Sequence, residues 1–145
     1  MGLKPDHWIR WKAEQHGMID PFFPHMVRDG VVSYGLSSFG YDMRLDGDFK
    51  KLSLNTELVI DPKRIHENLF DSVYASKSMI VPPNSFILGR SMEYWRIPSD
   101  VHGIVVGKST YARTGLLVNI TPMEPGWEGH LTIELSNTTP LPIRV

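Results

Sequence analysis

At 145 residues the chain is long enough for one domain with a real core, and its formal net charge of -1 supplies no overall field for nucleic acid or an acidic membrane. Charged residues make up 21%, and 12 glycines with 11 prolines favour a loop-rich β domain over a helical one. The absence of cysteine removes disulfides, thiolate nucleophiles and Cys-liganded zinc. No apolar run reaches the roughly 18 residues of a membrane span, and no apolar leader precedes Asp20, so a cytoplasmic chain with no membrane partner is expected.

The first predicted element is a helix over residues 6–16, with Pro5 and Asp6 as start signals and Gly17 as the stop. Trp8, Trp11 and Gln15 share one face with Ile9 and Ala13 nearby, so the tryptophans are expected to pack on a sheet or a neighbouring subunit. From Val31 onward short apolar runs take over, at residues 31–34, 41–45, 58–60, 79–81, 85–88, 94–97, 101–106, 116–120, 131–135 and 141–145. Turn-forming pieces separate them: Asp46-Gly47-Asp48, Pro82-Pro83-Asn84 and Pro125-Gly126. Many short strands at this spacing predict an all-β sandwich or barrel in a single domain, 1–145, rather than βαβ units. Residues 63–77 are polar and irregular and read as a surface excursion. Residues 141–145 alternate like a strand and then stop, so a longer chain or another subunit is expected to complete the pattern.

Within this frame the segment GKSTYARTG, residues 107–115, stands out. Ser109 reads as a helix N-cap, Gly115 as the helix end, and Arg113 falls on the same face as Ser109. Two readings stay open: an anion site built from first-turn N–H groups, Lys108 and the hydroxyls of Ser109 and Thr110, or a capped helix with solvated basic residues. It is not a Walker loop, because GxxxxGK[ST] is missing. In LTIEL, residues 131–135, alternation sets Glu134 with Thr132 on one face and Ile133 with Leu135 on the other. Glu134 is either a solvated residue on a half-exposed strand or a carboxylate facing a ligand pocket beside Ser109 and Arg113.

Weaker signals remain. Asp42, after the glycine of SSFGY, suits a magnesium ion, a sugar hydroxyl or, more simply, turn stabilisation. Trp127, in the Pro/Gly-rich loop PMEPGWEG, suits a base-pocket wall or the core. The six histidines (His7, His16, His25, His66, His102 and His130) lack HxH or HExxH spacing and read as surface or hydrogen-bonded residues; the alternative is a histidine-only zinc site assembled by folding.

Together DHWIRWKAEQHGMIDPF, VSYGLSSFGYDMRL, IVPPNSFILGRSMEYWRIP and GKSTYARTGLLVNITPMEPGWEGHLTIELSNTTPLP resemble the dCTP deaminase family, within the dCTP deaminase and trimeric dUTPase superfamily. The resemblance implies an all-β, β-clip or dUTPase-like distorted barrel with a short N-terminal helix, and a homotrimer with sites between subunits. It implies hydrolytic deamination of dCTP to dUTP and ammonia without zinc, supplying dUTP towards thymidylate synthesis. Magnesium accompanies the triphosphate, and dTTP is a candidate inhibitor. The family's substrate contacts carry over to Lys108, Ser109, Thr110, Tyr111, Ala112 and Arg113, and to Thr132, Ile133 and Glu134. Glu134 takes the place of the general base, with Ser109 and Arg113 orienting it and the water.

The chain resembles the short-loop branch of the family: the loop Asp of longer members has no counterpart around Glu124-Pro125. The family continues past the position of Val145 with a Gln-bearing strand and a closing tail, so the match is C-terminally truncated. Alternative readings are a dUTPase or bifunctional deaminase-diphosphatase, or a nucleotide-binding form without turnover.

Overall fold

The computed structural model describes residues 2–53 and 59–145. Helix α1, Asp6–His16, forms where predicted: extended Pro5 precedes it, and Gly17 closes it at φ 62 with its N–H on the Ala13 carbonyl, 3.0 Å away. Within the single chain the face it buries is that of Ile9 and Ala13, not that of the tryptophans. Ile9 and Ala13, one turn apart, are buried, whereas Trp11 is 50% exposed and Trp8 half-buried. Small and branched side chains let the helix approach its neighbours closely, while the indoles lie under the Lys12 ammonium, 5.8 and 5.1 Å from their centroids.

The strands are β1 (Ile19–Asp20), β2 (Gly35–Ser37), β3 (Gly40–Asp42), β4 (Leu45–Leu52), β5 (Phe70–Tyr74), β6 (Ile80–Val81), β7 (Ser85–Arg96), β8 (Leu116–Asn119), β9 (Glu128–Asn137) and β10 (Ile143–Arg144). A one-turn helix α2, Ser109–Ala112, precedes β8. The pairings β1–β7, β2–β3, β4–β5, β6–β10 and β8–β9 are antiparallel.

Several sequence expectations shift. Asp46-Gly47-Asp48 is not a turn but lies inside β4, where alternation sets both carboxylates on one face against Arg90 of β7. The excursion at residues 63–77 contains β5, which pairs with β4 from Phe70↔Leu52 to Tyr74↔Asp48. The runs at 85–88 and 94–97 are one strand, because the polar Arg90, Ser91 and Glu93 between them find partners inside the fold. Residues 101–106 hold only an isolated bridge, Gly103↔Met123. In 31–34 only Tyr34 pairs, with Val27, before β2 begins. Of 58–60, Leu58 lies outside the described residues, and Val59 and Ile60 are exposed and outside any strand. Within residues 141–145 only Ile143–Arg144 form a strand, β10, and its partner is β6 of the same chain, at Ile143↔Val81.

Contacts group the chain into two units, each woven from three segments: Met1–Leu45, Ser91–Val106 and Ile120–Thr132, and then Asp46–Arg90, Gly107–Asn119 and Ile133–Val145. The first unit pairs β1 with β7 at Ile19↔Trp95 and buries Ile9, Ile19, Leu36, Trp95 and Leu131. It also encloses an ion pair. Glu93 is fully buried and accepts from the Arg44 Nε and backbone N–H, each at 2.9 Å, while the guanidinium lies against the Phe23 and Tyr34 rings, 4.4 and 4.9 Å from their centroids. The second unit buries Phe49, Val81, Ile87, Leu116, Ile133 and Leu135. Buried Asn137 ties its loops: its amide donates to the carbonyls of Val81, Pro82 and Leu141, and its oxygen accepts from the Thr139 N–H.

Candidate functional site

The segment 107–115 forms a tight turn. Extended Lys108 (φ -79, ψ 140) is the N-cap residue of α2, and its carbonyl accepts from the Tyr111 and Ala112 N–H groups. Ser109 therefore opens the helix instead of capping it, and no side chain caps this end. The helix starts one residue earlier than expected, since the Lys108 carbonyl already accepts its first bonds and the Arg113 N–H continues them onto the Ser109 carbonyl at 3.1 Å. Ser109, Thr110, Ala112 and Arg113 are exposed; Lys108 and Tyr111 are half-buried, and burial pushes the Tyr111 phenol up.

Gly115 then swings the chain into β8 at φ +80, where a Cβ would collide with the Thr139 methyl. This turn fixes where β8 starts, and the β8–β9 register follows: Leu116↔Asn137 through Asn119↔Glu134. Along β9 the expected alternation holds, with Leu131, Ile133 and Leu135 buried, Thr132 exposed and Glu134 half-buried. Burial of Ile133 leaves its backbone, not its side chain, for any ligand.

Glu134 is not simply solvated. Its Oε1 accepts from the Ser136 hydroxyl at 2.7 Å and its Oε2 from the Asn119 amide at 3.3 Å. Both partners escaped the sequence reading, although their positions were legible. Ser136 is two residues along the same strand face, and Asn119 lies directly opposite once the hairpin register is known. The expected neighbours, Ser109 and Arg113, are not joined to Glu134 by a hydrogen bond or ion pair among the described residues.

Thr132 lines a cavity of about 330 Å³ together with Thr121, Pro122, Glu124, Trp127 and His130. Trp127, left between base pocket and core by the sequence, is half-buried in that wall, and its N–H closes the turn onto the Glu124 carbonyl at 3.1 Å. His130 turns its Nδ1 to the Ser91 carbonyl at 3.0 Å, the hydrogen-bonded role expected for a single histidine. Asp42 sits in β3 opposite Gly35, not in the turn itself.

The family model described as "dCTP deaminase-like" matches residues 3–145. The chain belongs to the dCTP deaminase family. A dCTP deaminase of Methylococcus capsulatus is 54% identical over 149 residues, an alignment that takes in 100% of this chain and 79% of that protein. A dCTP deaminase of Acidobacterium capsulatum is 57% identical over 145 residues, covering 100% of this chain and 78% of the relative. With relatives this similar along its whole length, the chain is an enzyme of the dCTP deaminase class. The crystal structure of 2'-deoxycytidine 5'-triphosphate deaminase from Agrobacterium tumefaciens superposes with a TM-score of 0.68 at 19% identity, over 99% of this chain and 44% of that one. That likeness bears out the all-β fold of the family. No helix among the described residues is long and apolar enough to cross a membrane.

Proposed function

We propose that the chain hydrolyses dCTP to dUTP and ammonia, leaving the triphosphate intact, with Glu134 as the proton shuttle and no zinc in the reaction. The observation that carries this reading is the Glu134 carboxylate itself: half-buried, on a strand, and held by two neutral donors rather than by a cation. A carboxylate in that state keeps lone pairs for a water molecule. As the water oxygen attacks C4 of cytosine, Glu134 takes one proton and passes it to the pyrimidine ring. A second transfer carries the proton of the new C4 hydroxyl through Glu134 to the exocyclic nitrogen, the C4–N bond breaks, ammonia leaves, and C4 becomes the uracil carbonyl. General acid–base catalysis of this kind contributes about 10²–10⁴-fold.

In this reading residues 108–113 receive the phosphates, through the Lys108 ammonium, the Ser109 and Thr110 hydroxyls, the Arg113 guanidinium and first-turn N–H groups, with Tyr111 and Ala112 forming the turn. Ser109 and Arg113 also orient the water and Glu134 once substrate is bound. Thr132, the Ile133 backbone and Glu134 meet the nucleoside. Magnesium enters with the triphosphate as part of the substrate. Exposed Ile104 and Val106, 75% and 79% accessible, support self-association, read as a homotrimer. The proposed setting is cytoplasmic, supplying dUTP towards thymidylate synthesis, with dTTP as an inhibitor at the same cleft.

The test is to incubate the protein and its Glu134→Gln variant with dCTP and magnesium, resolving nucleotides and assaying ammonia and pyrophosphate. Formation of dUTP and ammonia by the parent alone is the expected result. Pyrophosphate and dUMP alongside ammonia make the enzyme bifunctional, and binding of dCTP without product overturns the catalytic reading.

A further inference from the structure

Glu134 has a length of side chain that, on an exposed strand face, samples many directions. Here two donors remove that freedom. The Ser136 hydroxyl, two residues on and on the same face, draws Oε1 along the strand to 2.7 Å. The Asn119 amide, directly across the β8–β9 ladder, meets Oε2 at 3.3 Å. One partner lies along the chain and the other across it, so together they set both the direction and the plane of the carboxylate. Each donor uses one lone-pair direction of its oxygen and leaves the other open.

From this geometry we infer that Ser136, assisted by Asn119, is a positioning residue for the deamination, holding the Glu134 carboxylate in the orientation from which it takes the proton of the attacking water. The inference rests on Glu134 being the proton shuttle. Ser136 touches neither water nor nucleotide; it acts through Glu134. Its shorter bond makes it the principal partner, because a charge-assisted O–H donor at this distance is a strong one. Asn119, exposed and at longer range, is the secondary partner.

A positioning role predicts a loss in turnover rather than in substrate affinity, because displacement of a reacting group by about an ångström can cost on the order of 10²-fold. Ser136→Ala is expected to lower kcat for dCTP by about 10–100-fold, with KM within about threefold of the parent. Ser136→Thr keeps the hydroxyl and is expected to stay within about threefold in kcat. Asn119→Ala is expected to lose about 3–10-fold. Once Glu134→Gln has removed the shuttle, adding Ser136→Ala should change the residual rate by less than about threefold, because coupled residues are not additive.

A Ser136→Ala enzyme with parental kcat, beside a Glu134→Gln enzyme that is dead, overturns this inference and leaves the proton shuttle standing. Equal losses in the Thr and Ala variants also overturn it, since the hydroxyl is then not what matters. A Glu134→Gln enzyme that still turns over dCTP at the parental rate removes the reading on which both rest. Should Ser136→Ala not fold, the Thr variant and Asn119→Ala decide the matter by the same kcat and KM split.

Discussion

Glu93 in β7 and Glu134 in β9 are both strand carboxylates that accept two hydrogen bonds, yet their partners differ in charge. Glu93 is fully buried and faces an arginine, whose guanidinium lies against two aromatic rings. Glu134 is half-buried and faces a hydroxyl and an amide. A buried carboxylate without a cation would be very costly to ionise, so Glu93 comes with Arg44 and is thereby committed to structure. The neutral donors of Glu134 orient it without neutralising it, and partial exposure leaves it a route to water and ligand. In the proposed mechanism the partner's charge, more than the glutamate's place on a strand, separates the structural acid from the proton shuttle.

The widest separation between the two comes from matched glutamine substitutions. Glu134→Gln is expected to lower kcat by about 10²–10⁴-fold, equivalent to roughly 3–5 kcal/mol of barrier, while leaving the thermal midpoint near the parental value. Glu93→Gln should do the reverse, costing about 3 kcal/mol of stability in urea unfolding, because it leaves the Arg44 guanidinium buried against a neutral partner. If Glu93→Gln unfolds at the parental urea midpoint, the buried pair is not what holds this region together.

Tyr41 sharpens the picture of the Glu93 cluster through pH. Burial pushes its phenol up to about 12, opposed by the hydrogen bond from the Phe23 N–H and reinforced by the Glu93 charge. A phenol with a raised folded pKa adds stability in full below its unfolded value near 10, and that stability is lost as pH rises towards 12. Allowing for half-burial, the parent should lose on the order of 1–2 kcal/mol across that window. Tyr41→Phe should lose clearly less over the same range in parallel urea titrations.

The smallest effect is expected where an ion pair is exposed. Arg90 meets Asp46 and Asp48, but its side chain is 43% accessible. Arg90→Ala should therefore cost about 0.5 kcal/mol, shrinking further in 1 M salt. A loss as large as that of Glu93→Gln would mean that charge pairing itself, rather than burial, distinguishes the two glutamates.

Much of this was legible in local pattern. The α1 boundaries follow from Pro5, Asp6 and Gly17, and the alternation around Glu134 follows from the period of a strand. Local pattern failed where a polar residue's meaning depends on a distant partner. Asp46-Gly47-Asp48 reads as a turn by composition and becomes strand because Arg90 neutralises it from β7. Arg90, Ser91 and Glu93 interrupt an apolar run in the sequence, and instead continue β7 because the fold gives each of them a polar partner.

For the site, the sequence by itself determined the candidates on which the proposed function rests: Lys108, Ser109 and Arg113 on a tight turn, and Glu134 on a two-faced strand. Their types and periodicity are local properties, and the resemblance to a family followed from them. Only the tertiary structure decided how Glu134 is held. Asn119 reaches it through a hairpin register fixed by the Gly115 turn, and Ser136 reaches it only when the glutamate leans along its own strand. Register and side-chain direction arise from pairing and burial across the sheet, and a reading confined to neighbouring residues contains neither.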